Sequence, residues 1–242
     1  MSLDTLDKDE IIQFSKLADD WWNEEGSMSF LHSMSKIRTK YIKESIVNNF
    51  KIVKKTNSLE SIKILDIGCG GGIASEPLSR MGAKLTSIDE SKELINIARA
   101  HAKEMHLDIK YQHSNVEKII KNNKKYDVVI ALELLEHVKN IKYFCNLLSK
   151  LIKPNGLIIV STINRNILSK MIVIKMAEDV LKKIPAGTHN YGKFITPTEI
   201  KNYFNFEGLN MSNLKGMIWD PIRSWRLSNN TSINYIATLK KK

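Results

Sequence analysis

From Ile62 an apolar run leads through Asp66 into Gly68-Cys69-Gly70-Gly71-Gly72. Glycines at such a turn let a ligand lie against bare backbone, where the N–H groups and dipole of a following helix point outward. A dinucleotide fingerprint needs a third glycine three residues after the second. Counted from Gly68 and Gly70 that place is Ile73, and counted from Gly70 and Gly72 it is Ser75. The spacing is instead Asp-x-Gly-x-Gly-x-Gly. A carboxylate one step before the turn suits a ligand with an ammonium group and repels phosphates. The motif therefore favours S-adenosylmethionine over NAD. Asp89 ends the next apolar run, about 20 residues after the first glycine, where a carboxylate can accept both ribose hydroxyls. Asn115-Val116-Glu117 follows a third run, where polar groups can meet an adenine edge, and Leu132 ends a fourth, where an apolar side chain can lie against the ring.

The elements that must position these residues are legible as an alternation. IKILDI, KLTSIDE, IKYQH, YDVVIALE and GLIIVST have the short apolar runs of strands. Between them, residues 73–81, 91–106, 116–122 and 139–152 have helical periodicity. Strand and helix in regular alternation predict a parallel sheet covered on both faces. Lys153-Pro154-Asn155-Gly156 should end a helix and launch the strand at 157–161. A helix should open at Thr196-Pro197-Thr198-Glu199, with proline in its first turn. Two late strands, near 209–218 and 232–240, would bring the sheet to seven. Residues 1–60 read as a helical cap, with apolar positions at Ile11, Ile12, Phe14, Leu17, Trp21 and Trp22 and a second helix through Tyr41, Ile42, Ile46 and Val47. Residues 61–242 form the ligand-binding domain.

Composition bounds the rest. The 242 residues, 43% hydrophobic and 26% charged, describe one globular domain of ordinary size. The formal charge of +11 comes from lysines and arginines scattered along the chain rather than interleaved with aromatics on one stripe, so nucleic acid is not an expected partner. Cys69 and Cys145 lack zinc-ligand spacing and fit a reducing compartment, with no structural zinc. The segment MSLDTLDKDE has the pattern of neither a signal nor a transit peptide, so the chain reads as cytoplasmic. Residues 164–184 form an amphipathic pattern, with Val173, Met176, Val180 and Ile184 on one face and Lys175, Glu178, Asp179 and Lys182 on another. It reads either as a lid, within an insertion at 164–190, or as a helix lying on an anionic membrane surface.

Asp66-x-Gly-x-Gly-x-Gly, Asp89, Tyr126-Asp127-Val128-Val129 and the Lys-Pro-Asn-Gly turn resemble class I S-adenosylmethionine-dependent methyltransferases over about 60–161. Trp21-Trp22 with Glu25-Gly26, Leu31-His32, LDIGCGGG at 65–72, LELLEHV at 132–138, STINRN at 161–166 and Gly187-Thr188-His189 before Lys193-Phe194-Ile195 narrow the likeness. Together they resemble the ubiquinone-biosynthesis O-methyltransferases over nearly the whole chain. The resemblance implies a Rossmann-like α/β fold and methylation of catechol-type hydroxyls on polyprenylated intermediates, including demethylubiquinol. It places cofactor contacts on Arg38, Gly68, Asp89 and Leu132, beside Asp66, Gly70, Asn115 and Val116 from the motifs above. Ser35-Lys36 precedes Ile37-Arg38 where the family usually carries a proline, which puts the local turn in question. Other enzymes of ubiquinone biosynthesis, and the inner face of the cell membrane, are the implied partners.

Methyl transfer from a sulfonium is an in-line displacement, and the acceptor oxygen must lose its proton. Glu133, Glu136 and His137 have the spacing to share one side of a helical turn at the end of the fourth strand. In some family members this Glu-x-x-Glu-His string is linked to magnesium. It implies that Glu133, Glu136 and His137 ligate Mg2+, or that His137 acts as general base. His189, and with it His32, is a further candidate near the substrate; Trp21 and Trp22 either shield the cofactor or pack the cap, with packing the favoured reading. A quinone-precursor C-methyltransferase is the nearest alternative. An oxidoreductase is disfavoured by the glycine spacing and the missing Tyr-x-x-x-Lys pair, a non-enzymatic binding protein by the complete cofactor motif. Nucleic-acid base methylation is disfavoured by the absence of Asn/Asp-Pro-Pro-Tyr.

Overall fold

The computed structural model describes residues 8–52, 58–169, 191–220 and 224–241. Its helices are α1 (Lys8–Ser15), α2 (Ser29–Phe50), α3 (Ser75–Arg80), α4 (Lys92–Glu104), α5 (Val116–Lys121), α6 (Ile141–Leu151) and α7 (Pro197–Phe206). The strands are β1 (Lys63–Ile67), β2 (Lys84–Asp89), β3 (Ile109–His113), β4 (Tyr126–Leu132), β5 (Ile152–Ile163), β6 (Leu209–Asp220), β7 (Ser224–Ser228) and β8 (Asn234–Lys241).

The strands form one sheet in the order β3-β2-β1-β4-β5-β8-β6-β7. β1 to β5 pair in parallel, while β8 runs antiparallel between β5 and β6, and β7 hairpins back onto β6. This is the mostly parallel Rossmann-like sheet the alternation predicts, with one strand more than the expected seven. The additional strand is β7, whose Trp225 donates to Ser33 Oγ (2.9 Å) and meets Phe30 edge-on, so the sheet edge leans on α2. β5 begins at Ile152, earlier than expected, because Ile152 already pairs with Tyr126. The Lys-Pro-Asn-Gly segment then bulges out before Leu157 pairs with Val128.

Alternate residues of the central strands feed two apolar layers, as the pleat requires. Leu65, Ile67, Val129, Ala131, Ile158 and Val160 face α5, α6 and α7, where Phe144, Leu148, Ile200 and Phe204 are buried. Ile64, Val128, Ile130, Leu132 and Ile159 face Met34, Tyr41, Ile42 and Ile46 of α2 and Leu78 of α3. The segment expected as a cap thus divides: α2 belongs to the covering layer of the sheet, while α1 and the 3-10 turn Ala18–Asp20 lie over the strand ends. Three of the helices that cover the sheet open on side-chain caps from serine or asparagine. Ser91, Asn115 and Asn140 accept from the backbone N–H groups of Leu94, Lys118 and Tyr143. α7 opens on a complete capping box between Thr196 and Glu199. The amphipathic stretch 164–184 falls mostly, and His189 wholly, outside the described residues.

Candidate active site

A cleft opens at the C-terminal ends of β1, β2 and β4, where the strand order changes direction and open α/β sheets bind ligands. It is lined by Arg38, Asp66, Gly68, Gly70, Asp89, Leu132, Glu133 and His137, and roofed by Glu10, Ile11, Phe14 and Trp21, enclosing about 850 Å3 with the space open to solvent counted. Eight of the expected site residues are therefore brought to one wall system, although they derive from α2 and three different strand ends.

The glycine turn is left-handed at Gly68, Gly70 and Gly72, with φ of 68°, 53° and 99°, which glycine alone adopts without strain. Its outer surface is covered by an indole. A β-carbon on Gly70 would stand 2.3 Å from Cζ2 of Trp21, and one on Gly71 2.2 Å from its Cδ1. Trp22 fastens to the same turn, donating to Gly71 O (3.1 Å) and stacking flat on His101. His32 does not line the cleft; its Nε2 bonds the carbonyl of Trp21 (2.8 Å) and braces the tryptophan pair.

Asp66 is buried and accepts from Ser75 Oγ (2.6 Å), which also meets Ser87 Oγ. Burial pushes its carboxyl up to about 7, with the charge of Asp89 adding to the effect and Ser75 and Arg38 opposing it. Asp89 accepts from the backbone N–H of Gly70 (2.9 Å) and of Ser91 (2.8 Å), and burial raises it too. Arg38 reaches Leu31 O through one guanidinium nitrogen (2.8 Å), but among the described residues its Nε is buried without a partner, as is Nε1 of Trp21. Two orphaned donors in one cleft are costly unless a ligand supplies acceptors.

The opposite wall is the turn after β4. Glu133 has φ 50°; its carboxylate accepts from Ser161 Oγ (2.6 Å) and Asn234 Nδ2 (2.9 Å). Glu136 accepts from Thr162 Oγ1 (2.7 Å), and burial, reinforced by Glu133, raises its carboxyl. His137 donates from Nδ1 to Glu10 Oε2 (2.5 Å), and Lys193 Nζ donates to Glu10 Oε1 (2.6 Å). Phe14 packs edge-on to the imidazole. Burial pulls the imidazolium down, but the hydrogen bond and charge of Glu10 and the charge of Glu136 outweigh it, leaving His137 above its ordinary value.

The expected Mg2+ ligands lie on a different local geometry from the one their spacing suggested. The turn Leu135–His137 is a 3-10 turn rather than part of an α-helix, and Glu133, Glu136 and His137 each engage different protein partners. Among the described residues, three or more His, Cys, Asp or Glu side chains nowhere converge in a way that could hold a metal ion.

A narrow extension of the cleft runs between Gly68, Asp89, Asn115, Val116, Leu134 and Phe144. Asn115 spends its side-chain oxygen on capping α5 (3.1 Å to Lys118 N). Leu132 lies in the main cleft, and Leu134 is the leucine common to both spaces. Sequence reasoning missed Glu10 and favoured packing over shielding for Trp21, whose indole faces the cleft; Glu10 and His137 are 127 positions apart, and no local pattern links them.

The sheet order, the acidic glycine-rich turn at its switch point and the orphaned donors around it define a class I S-adenosylmethionine-dependent methyltransferase. Residues 17–214 match a family model described as a methyltransferase domain. The chain is 41% identical to the ubiquinone biosynthesis O-methyltransferase of Pelagibacter ubique (strain HTCC1062), over 99% of this chain and 100% of that protein. It is 40% identical to the protein of the same name from Rickettsia canadensis (strain McKiel), over 99% of each. Among solved structures it is similar to magnesium protoporphyrin IX methyltransferase from Synechocystis PCC 6803 with bound S-adenosylhomocysteine (TM-score 0.60, 18% identity, 87% of this chain and 84% of that one). It is likewise similar to the plantazolicin methyltransferase BpumL with a substrate analogue and S-adenosylhomocysteine (TM-score 0.63, 16% identity, 97% of each chain). These two likenesses show the fold. The chain belongs to the ubiquinone biosynthesis O-methyltransferase family.

Proposed function

We propose that the cleft binds S-adenosylmethionine beside a polyprenylated catechol or hydroquinone and that His137 takes the proton from the reacting hydroxyl. The observation that carries this reading is the pairing of two orphaned buried donors, Arg38 Nε and Trp21 Nε1, with the bare glycine turn in the same cleft. A methionine carboxylate satisfies both donors, and Asp66 is placed for the ammonium group. Gly68 and Gly70 border the cleft with their backbone, Asp89 accepts from the ribose hydroxyls, and Asn115 and Val116 border the space for the adenine. Leu132 and Leu134 supply apolar walls.

When bound, S-adenosylmethionine supplies an electrophilic methyl group on a sulfonium. The chain's own contribution is orientation and proton removal. Because Nδ1 of His137 donates to Glu10, the basic lone pair lies on Nε2, which accepts the phenolic proton. Glu133, held by Ser161 and Asn234, shapes the wall behind the reacting groups, and Glu136 supports His137 from its own turn. His189 stays in this proposal on its sequence context alone. Residues 61–242 carry the sheet and the chemistry; residues 8–50 enclose the cofactor and complete one face of the sheet.

The acceptor's prenyl chain gives reason for a membrane surface to lie near the cleft, and the amphipathic pattern of 164–184 supports contact with an anionic bilayer and with other enzymes of the pathway. Among the described residues, no helix is long and apolar enough to cross a membrane.

The test is single-turnover transfer of labelled methyl to a short-chain demethylubiquinol and to a polyprenyl catechol. Label on the hydroxyl oxygen supports the reading. Label on a ring carbon would make the chain a C-methyltransferase, and tight cofactor binding without transfer would overturn the assigned acceptor.

A further inference from the structure

Among the described residues, polar groups reach His137 from three separate parts of the chain. Glu10 arrives from α1, Glu136 from the turn after β4, and Lys193 from the 3-10 turn Tyr191–Lys193. Both oxygens of Glu10 are committed, one to Nδ1 of His137 and the other to Nζ of Lys193. α1 is pinned again at its far end, where Ser15 Oγ meets Ser91 Oγ, the N-cap of α4 (2.7 Å). Between these two fastenings Ile11 and Phe14 face the cleft. The imidazole is thus clamped by a carboxylate at Nδ1 and by the edge of Phe14, ring centroids 5.2 Å apart at 87°.

We propose that Glu10 is the positioning residue of the methyl-transfer reaction: it fixes the tautomer and aim of His137 and stabilises the imidazolium that forms when the acceptor hydroxyl gives up its proton. The proposal rests on His137 as the base. A carboxylate on Nδ1 leaves Nε2 as the only basic ring nitrogen, orients it, and lowers the energy of the protonated ring. Lys193 completes the arrangement by keeping Glu10 ionised: burial opposes ionisation, but the bonds from His137 and Lys193 prevail and hold its carboxyl below the usual range. Proton bookkeeping closes within the site, since the phenol's proton passes to Nε2 while the phenolate oxygen takes the methyl and the sulfonium becomes a neutral thioether.

The experiment compares Glu10→Gln, His137→Asn and the double variant, each monitored for folding by circular dichroism. Single-turnover rate at saturating cofactor, its pH profile, and binding of S-adenosylhomocysteine are read for each. Glu10→Gln keeps shape and removes charge. It should slow transfer by about 10–100-fold while S-adenosylhomocysteine affinity stays within about threefold, and it should move the acid limb of the profile to lower pH. In the His137→Asn background the same substitution should cost nothing further, because groups acting through one another are non-additive. Lys193→Met should slow transfer less than Glu10→Gln, with the acid limb moved to higher pH, because the charge of Lys193 holds the imidazolium of His137 down. A wild-type rate in Glu10→Gln alongside a slow His137→Asn would overturn the role of Glu10 and leave the base intact. A wild-type rate in His137→Asn would overturn the base assignment itself. A full additive loss in the double variant, with weakened S-adenosylhomocysteine binding, would make Glu10 a fastening for α1 only.

Discussion

The indole of Trp21 occupies the space that a side chain on Gly71 would need. A β-carbon there would stand 2.2 Å from Cδ1 and 2.7 Å from Cγ of Trp21, far inside van der Waals contact. The glycine-rich turn is therefore shaped on one side for a ligand and on the other for its own N-terminal segment. Gly71→Ala should displace Trp21 and weaken S-adenosylhomocysteine binding by at least about tenfold, or about 1.4 kcal/mol, by calorimetry. In a Trp21→Leu background the same substitution should cost much less. Equal losses in both backgrounds would mean that the turn itself, rather than the indole, is disturbed.

Arg38 sits 4% exposed with its Nε unpartnered, and burial lowers its pKa against the opposing charges of Glu133 and Asp66. A charged hydrogen bond to a ligand carboxylate contributes about 1.5–3 kcal/mol. Arg38→Met should accordingly weaken cofactor binding by about 10–100-fold. The melting temperature of the ligand-free protein should hold or rise, because a desolvated cation gives way to an apolar side chain of similar reach. A large fall in melting temperature with unchanged affinity would reassign Arg38 to the core.

Asp66 gives the site a pH dependence of definite sign. Its carboxyl is raised from 3.8 to about 7 in the folded chain, so its contribution to ligand-free stability is complete below the unfolded value and is lost as pH rises through about 7. A ligand bearing an ammonium group prefers the ionised form. Affinity for S-adenosylhomocysteine should then rise about tenfold from pH 6 to pH 8, with proton release visible as a buffer-dependent heat. Asp66→Asn should flatten the profile. A wild-type profile that is already flat would place the ammonium group elsewhere.

The capping box of α7 offers a test of local architecture apart from the chemistry. Thr196 Oγ1 accepts from Glu199 N (3.2 Å), while Thr196 N donates to Glu199 Oε2 (2.9 Å). Thr196→Ala should cost about 1 kcal/mol and lower the melting temperature by about 2–4 °C, with methyl transfer unchanged. No shift would show that packing of Ile200 and Phe204 alone holds the helix start.

What the sequence disclosed follows from the range of the forces involved. β1, β4 and β5 are buried on both faces, so their apolar runs announce them, and the acidic glycine turn is a local backbone requirement written in local residues. β7 was not legible, since Ser224 to Ser228 mixes serine, arginine and tryptophan at a sheet edge that rests on Phe30 and Ser33 of α2. The partners of His137 were hidden for a different reason. A spacing argument collects groups close in sequence, and so it joined His137 to Glu133 and Glu136; the fold turns those two toward Asn234, Ser161 and Thr162 and brings Glu10 across the cleft. Asn115 illustrates the remaining ambiguity, because a polar residue after a strand serves equally as ligand contact or helix cap.

β8 comes after β6 and β7 in the chain yet lies between β5 and β6 in the sheet. A growing polypeptide must therefore make β5, whose buried residues pair with β8 from Leu157 to Ile163, and then hold that edge open while α7, β6 and β7 are synthesised. At ordinary translation speeds the interval lasts several seconds, long enough for an exposed apolar edge to find a wrong partner. The order of pairing thus puts the exposure of that edge on the nascent chain and not on the finished sheet, where β8 covers it.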